Sequence, residues 1–175
     1  MKTTQRLTVD SPAGPLTLAA ENDCLTGISF GTVGPDASCS HTPLLDEAAR
    51  QLDEYFNGLR RDFDLPLAPS GTLFQRKVWD ALRQIPYGQT RSYKQIACAA
   101  GHPLAYRAVG MANNRNPLPI VIPCHRVVGS SGALVGYAGG LDIKRLLLDL
   151  EGAGGFGATL GCDFSERLFC LEVRE

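Results

Sequence analysis

The chain has 175 residues, of which 44% are hydrophobic and 20% charged, and its formal net charge is −1. That is enough apolar side chain for one domain or two small ones, and too little net charge for a disordered chain. Apolar runs fall far below the ~20 residues of a membrane span, and residues 1–10 lack the apolar stretch of a secretory signal. We therefore expect a cytoplasmic protein without membrane contact, whose six cysteines are free thiols.

The charge is unevenly distributed along the chain. Residues 1–74 have a balance of −5, residues 75–128 of +7 and residues 129–175 of −3. The middle segment holds eight basic residues against the single acid Asp80. Such a segment is a candidate face for binding a polyanion, and a solvated surface is the alternative.

The first forty residues are predicted to form short β-strands. Apolar residues recur there in partly alternating runs, which are broken by the turn-forming segments Ser11–Pro15 and Glu21–Asp23. A helix follows, for which Thr42 is a suitable cap and Gly58 a natural end. The sequence therefore predicts a small N-terminal β-sheet-plus-helix domain over residues 1–68.

The second half is predicted to be mostly helical, since capping residues, prolines and glycines bound each apolar-periodic segment. These segments cover residues 73–85, Tyr93–Ala100, Pro103–Asn113 and Leu141–Glu151. The second and third, joined at Gly101 within the basic segment, make a helix-turn-helix. The predicted fold class is thus α/β of the α+β kind. Its second domain spans residues 72–152, and residues 153–175 form a tail to which no role is assigned.

Ile120–Val128 is predicted to be extended, because six of its nine residues are proline or branched aliphatic. Cys124 and His125 lie at its centre. A thiol with pKa ~8.5 needs a neighbouring base or cation to become a nucleophile at neutral pH. Adjacent residues of a strand point to opposite faces, so direct contact between the two is not assured. A buried structural cysteine beside a satisfied histidine, or a Cys–His hydrolase, are the alternatives.

Further motifs surround this pair. They are Tyr87-Gly88, Ser92-Tyr93, Arg107-Ala108-Val109-Gly110, Asn116-Pro117, Pro123-Cys124-His125-Arg126-Val127-Val128, Gly136-Tyr137 and Leu150-Glu151-Gly152. In order and in register, these segments resemble those of the O6-alkylguanine-DNA alkyltransferases.

The resemblance implies a single-turnover DNA repair enzyme that transfers an alkyl group from O6 of guanine to Cys124, and it leaves open whether O4-alkylthymine is also a substrate. It implies that His125 is the base, acting through a water and oriented by Glu151. Asn116 would hold the turn. The implied substrate-binding residues are Tyr93, through its hydroxyl, and Tyr137 and Ala138, which line the pocket.

The resemblance also implies binding of double-stranded DNA through the minor groove by a monomer without a cofactor. The lesion lies inside the stack, so its nucleotide must be extruded, and Arg107 would fill the vacated place. Other basic residues would meet DNA phosphates, namely Arg91, Lys94, Arg115 and Arg126. A non-catalytic protein that binds and flags alkylated DNA is the alternative. No metal is expected, because Cys24, Cys39 and His41 lack a compact ligand spacing.

Overall fold

The computed structural model describes residues 4–32 and 40–153. All but the first residue of the predicted tail, 153–175, therefore lies outside the described residues. The chain divides into two compact units. The first comprises Met1–Ser70 with Pro117–Val121, and the second comprises Gly71–Asn116 with Ile122–Glu175. None of the helices in the described ranges is long and apolar enough to cross a membrane, and the cytoplasmic location stays a prediction.

The first unit is built on a three-stranded antiparallel sheet. Its strands are β1 (Gln5–Val9), β2 (Leu16–Glu21) and β3 (Cys24–Phe30), in the order β1-β2-β3. Asn22 and Asp23 link β2 to β3 with φ angles of 50° and 57°. Two consecutive positive φ angles suit the twist of a two-residue hairpin, and Asn and Asp tolerate them better than most residues.

One helix, α1 (Pro43–Phe56), covers this sheet. The Thr42 side chain accepts a hydrogen bond from the Leu45 N–H, as expected for an N-cap. Leu45 and Leu52 from the helix and Leu18 from the sheet are buried at 2% exposure or less. The small N-terminal sheet-plus-helix arrangement that the sequence predicts is confirmed.

The segment Pro117–Val121 belongs to the first unit although it lies far along the chain. The Ile28 N–H donates to the Pro117 carbonyl at 2.8 Å, which ties the segment to β3. Ile120 is buried with φ +75°, a conformation that strains a β-branched residue. The segment therefore leads the chain back into the second unit immediately before Cys124.

The second unit is mainly helical. Its elements are α2 (Leu73–Arg83), β4 (Arg91–Ser92), α3 (Tyr93–Ala99), α4 (Tyr106–Asn114), β5 (Val127–Val128) and α5 (Leu141–Leu150), with β4 parallel to β5. Capping boxes start α2, at Thr72 and Gln75, and α3, at Ser92 and Gln95. On α2, the indole N–H of buried Trp79 donates to the Ala112 carbonyl at 2.9 Å, which fixes α4.

The helix-turn-helix prediction is confirmed, with one change of bounds. Helices α3 and α4 are joined by a tight turn in which Gly101 has φ +78°. The predicted start of α4 at Pro103 is wrong, because the Ala105 N–H bonds to the His102 carbonyl in a turn of its own. Helix α4 therefore begins at Tyr106, without a side-chain cap.

The prediction of an extended stretch through Ile120–Val128 is also wrong at its centre. Cys124–Arg126 form one 3₁₀ turn, in which the Arg126 N–H donates to the Pro123 carbonyl at 3.0 Å. Only Val127–Val128 are a strand. The opposite-face argument for adjacent residues therefore does not apply at Cys124 and His125.

Candidate active site

Cys124 opens the 3₁₀ turn and is a free thiol with only 2% exposure. Burial raises the pKa of this thiol to about 11, although hydrogen bonds from Asn116 and Tyr137 and the charge of Lys144 act in the opposite direction. The Asn113 side-chain amide donates to the Cys124 carbonyl at 3.3 Å. The sulfur is therefore protonated at rest, in a site whose neighbours favour the thiolate when it forms.

Asn116 contacts the backbone just before the turn that carries Cys124. Its side-chain amide donates to the Ile122 carbonyl at 2.8 Å, from a position that is 7% exposed. The same side chain also interacts with the Cys124 sulfur. The backbone before the thiol and the thiol itself are thus fixed by one residue.

His125 and Glu151 form a fully buried pair, with Nε2 of the imidazole 2.7 Å from the carboxylate Oε1. Arg126 also donates two hydrogen bonds to the Glu151 carboxylate. Its Nε lies 2.8 Å from Oε2, and a terminal nitrogen lies 3.0 Å from Oε1. Burial alone would raise the pKa of Glu151, but the hydrogen bonds and charges of His125 and Arg126 lower it to about 2.

An ionised carboxylate can only accept hydrogen bonds, so Nε2 of His125 must carry the proton that it donates to Glu151. Burial lowers the pKa of His125. The hydrogen bond and charge of Glu151 oppose this effect, the positive charges of Arg126 and Lys144 add to it, and the pKa lies below its usual value. The imidazole is therefore neutral, with its lone pair on Nδ1. That atom is buried and has no hydrogen-bond partner among the described residues. Nδ1 can accordingly accept a hydrogen bond or a proton.

The prediction that Arg126 meets DNA phosphates is corrected here. Arg126 is 5% exposed, and besides Glu151 its guanidinium donates to the Ile85 carbonyl at 2.6 Å. Its charge is used inside the protein, where it neutralises the carboxylate. Counting cations along the sequence could not distinguish this buried arginine from its exposed neighbours.

The turn Tyr87-Gly88 fixes Glu151 at the end of α5. The Tyr87 hydroxyl donates to the Leu150 carbonyl at 3.2 Å, and the Gly88 N–H donates to Glu151 Oε2 at 3.2 Å. A β-carbon on Gly88, where φ is +75°, would lie 2.9 Å from the Glu151 carbonyl oxygen. This motif therefore requires glycine for both its conformation and its space.

The segment between β5 and α5, residues 129–140, carries the predicted pocket residues Tyr137 and Ala138. Tyr137 is half-buried beside the thiol, and Ala138 is exposed. The Tyr93 hydroxyl donates to the Val135 carbonyl at 3.1 Å, and burial raises the pKa of Tyr93.

Sequence reasoning missed Lys144. It is fully buried, and its ammonium group donates to the Val127 carbonyl at 2.6 Å and the Val135 carbonyl at 2.9 Å. Burial lowers its pKa to about 8, and a thiolate at Cys124 acts in the opposite direction when it forms. Lys144 thus anchors the loop to β5 next to the thiol. A lysine in an otherwise apolar stripe of α5 is the signal that could have found it.

The remaining predicted DNA-contacting residues lie at or near the surface. Arg107, Arg115 and Lys94 are exposed, and Arg91 is half-buried with its guanidinium on the Thr90 carbonyl and the Gln89 side chain. Helix α4 connects this surface to the site, because Gly110 faces the Tyr93 ring and Asn113 contacts the Cys124 backbone.

The residues considered for a metal are not assembled as a site in the described ranges. No group of three His, Cys, Asp or Glu side chains there could hold a metal ion. His41 is hydrogen-bonded to Asp46 at 2.7 Å. Cys24 is a half-buried free thiol, and Cys39 lies outside the described residues.

A buried thiol followed in sequence by a neutral imidazole, in the unit that also holds a basic helix-turn-helix, is typical of a protein that brings a nucleophile to nucleic acid. Comparison with known proteins agrees. Residues 73–153 match the family described as 6-O-methylguanine DNA methyltransferase, DNA binding domain, and residues 6–69 match its ribonuclease-like domain.

Individual proteins agree closely. A Methanosarcina barkeri methylated-DNA–protein-cysteine methyltransferase is 53% identical over 148 residues, which cover 82% of this chain and 94% of the relative. The crystal structure of the Mycobacterium tuberculosis O6-methylguanine methyltransferase has a TM-score of 0.78 at 46% identity, covering 86% of this chain and 94% of that one. The structure of that protein in complex with DNA gives the same values.

The chain belongs to the 6-O-methylguanine DNA methyltransferase family. The family resemblance, the fold class and the prediction of an enzyme for DNA repair by alkyl transfer are thereby confirmed, and DNA is its partner.

Proposed function

We propose that this protein removes the alkyl group from O6 of guanine in double-stranded DNA by transferring it to Cys124, once per molecule. The observation that carries the proposal is the buried Nδ1 of His125, which bears a lone pair and has no partner among the described residues. It belongs to the residue that follows the thiol in the same 3₁₀ turn. A base in that position serves to take the proton of Cys124.

The transfer is a single displacement. The Cys124 proton passes through a water to Nδ1 of His125, and the sulfur attacks the alkyl carbon as the bond from that carbon to O6 breaks. The electron pair of that bond stays with the guanine, which takes up the proton that the imidazolium releases through water, and the sulfur becomes a thioether. Glu151 stabilises the imidazolium while it exists. Water does not readily cleave a thioether, so the acceptor is consumed.

The ionisation states support a thiolate that forms only during the reaction. The pKa of Cys124 is about 11 at rest, so a free thiolate is scarce at neutral pH. Lys144, Asn116 and Tyr137 all favour the charged sulfur. These groups are fixed before substrate arrives, so they lower the barrier without reorganising.

Tyr93 is proposed to offer its hydroxyl to the guanine, exchanging its bond to the Val135 carbonyl for one to the base. Lys144 still donates to that carbonyl, so the exchange leaves it bonded. Tyr137 and Ala138 are proposed to line the pocket beside the thiol.

The DNA is proposed to bind by its minor groove against α4. A fixed thiol cannot reach O6 within the stack, so the nucleotide must be extruded, and Arg107 is proposed to take its place. Small residues at Ala108 and Gly110 allow a close approach. Arg91, Lys94 and Arg115 are proposed to contact phosphates. The thiol, base and carboxylate come from one chain, which supports action as a monomer.

The test uses duplex DNA carrying one O6-methylguanine with a labelled methyl group. We expect at most one equivalent of label per protein, recovered on the peptide that contains Cys124. Cys98→Ser is the control, since Cys98 is a half-buried free thiol in the same unit, and it should transfer normally. Transfer by Cys124→Ser would refute the assignment. Tight binding of methylated DNA without any thioether would instead indicate a damage-flagging protein.

A further inference from the structure

The exposed face of α4 carries a large apolar side chain. Val109, Ala112 and Asn113 are buried, whereas Met111 is 59% exposed. Leu104, just before the helix, is 93% exposed, and Tyr106 is 41% exposed. These are three of the seven large apolar side chains that the described residues expose. Apolar surface concentrated within eight residues of chain is typical of a binding site.

Two arginines flank Met111 on this face. Arg107 and Arg115 stand four residues before and after it, so all three lie along one side of the helix. Within the described ranges, neither arginine forms a salt bridge. The Arg107 guanidinium lies 6.0 Å from the centre of the Tyr106 ring. This face of α4 therefore presents a methionine between two positive charges that can bind an anionic partner.

The charge pattern favours DNA as the occupant. Two cations about two helical turns apart suit phosphates, and an apolar group between them suits sugar edges and the face of an unstacked base. A thioether is polarisable and flexible, so it adapts to such surfaces. The opposite side of the same helix contacts the reacting centre, since Gly110 lies against Tyr93 and Asn113 bonds to the Cys124 carbonyl.

We propose that Met111 is an apolar DNA-contacting residue that acts beside Arg107 to keep the extruded nucleotide from returning to the stack. The inference rests on the proposed function, because it takes α4 as the element that faces the DNA. Met111 adds a contact made by packing rather than by charge. It is a large side chain on a helix whose other proposed DNA-facing positions are an arginine and the small residues Ala108 and Gly110.

The test separates packing from charge through salt dependence. Each phosphate that a protein neutralises contributes about −0.9 to the slope of log K against log salt for duplex DNA. Met111→Ala should weaken binding of unmodified duplex about tenfold at every salt concentration, which is about 1.4 kcal/mol, and leave the slope unchanged. Arg115→Ala should make the slope less steep. Met111→Leu should retain most of the affinity. Leu59→Ala, which removes an 81% exposed side chain from the first unit, should change nothing.

Extrusion is measured with 2-aminopurine, whose fluorescence rises when it is unstacked, placed next to the lesion. Met111→Ala should reduce the rise more than Met111→Leu. Affinity and fluorescence within twofold of the wild-type protein would overturn the inference while leaving methyl transfer to Cys124 intact. Loss of methyl transfer in the wild-type protein would refute the proposed function instead, and the binding comparison would still be decisive for Met111. A change in salt slope for Met111→Ala would also count against a packing contact.

Discussion

Removing Arg126 should disable the base as well as weaken the fold. Arg126→Met deletes two hydrogen bonds to Glu151 and one to the Ile85 carbonyl. Glu151 is then a buried carboxylate without its permanent cation. Removing one partner of a buried ion pair costs about 3–5 kcal/mol, so the free energy of unfolding should fall by that amount.

The same change should move the ionisation of His125. With the positive charge gone, the Glu151 carboxylate favours the imidazolium, so the pKa of His125 rises. A protonated His125 cannot accept the thiol proton, so the rate at pH 7 should fall by roughly tenfold or more, since general-base catalysis contributes roughly 10²–10⁴-fold. The rate should recover as pH rises through the new pKa, so the acid limb of the profile moves to higher pH.

The assay is the single-turnover rate of methyl transfer between pH 5 and pH 9, with urea unfolding measured on the same samples. Arg126→Lys keeps a charge near Glu151 and should fall between the two proteins. Arg83→Met, at an exposed position of α2, controls for loss of a surface arginine. An acid limb at the wild-type position in Arg126→Met, with stability lowered by less than about 1 kcal/mol, would refute the reasoning.

Three further predictions concern stability. Gly88→Ala should lower the free energy of unfolding by about 2–3 kcal/mol, and Gly101→Ala by only about 1–2 kcal/mol. Both glycines have positive φ, but only a β-carbon at position 88 would meet a backbone carbonyl. Equal losses in chemical denaturation would contradict the predicted clash with that carbonyl. Glu151, with its pKa lowered from 4.5 to about 2, should contribute about 3 kcal/mol above pH 4.5 that is lost as the pH falls towards 2. Glu151→Gln should flatten that acid dependence in urea titrations. Methylation of buried Cys124 should lower stability by about 1–3 kcal/mol, and an unchanged melting temperature after stoichiometric reaction would exclude this.

Local sequence signals predicted much of the fold. Thr42, Thr72 and Ser92 each accept a hydrogen bond from the backbone N–H three residues later, which is why helix starts could be predicted from residue type alone. Such caps depend only on neighbouring residues. The start of α4 has no side-chain cap, and there the prediction was three residues early.

The site was harder to predict because it depends on contacts distant in sequence. Aliphatic composition indicated a strand at Cys124, but the hydrogen bond from Arg126 to Pro123 produces a turn. Arg126 and Lys144 are cations whose burial is compensated by a carboxylate and by backbone carbonyls. Composition and spacing do not reveal such partners. The pairing of Glu151 with His125 could be predicted only from the family resemblance, because 26 residues separate the two in sequence.

The single tryptophan of the chain makes the molecule its own spectroscopic reporter. Trp79 is 1% exposed and its indole is bonded to the backbone of α4 at Ala112. Because indole emission depends on polarity and hydrogen bonding, any displacement of α4 should change the colour or intensity of the intrinsic fluorescence. Events on the outer side of that helix can thus be followed in real time by ultraviolet excitation, with no dye attached.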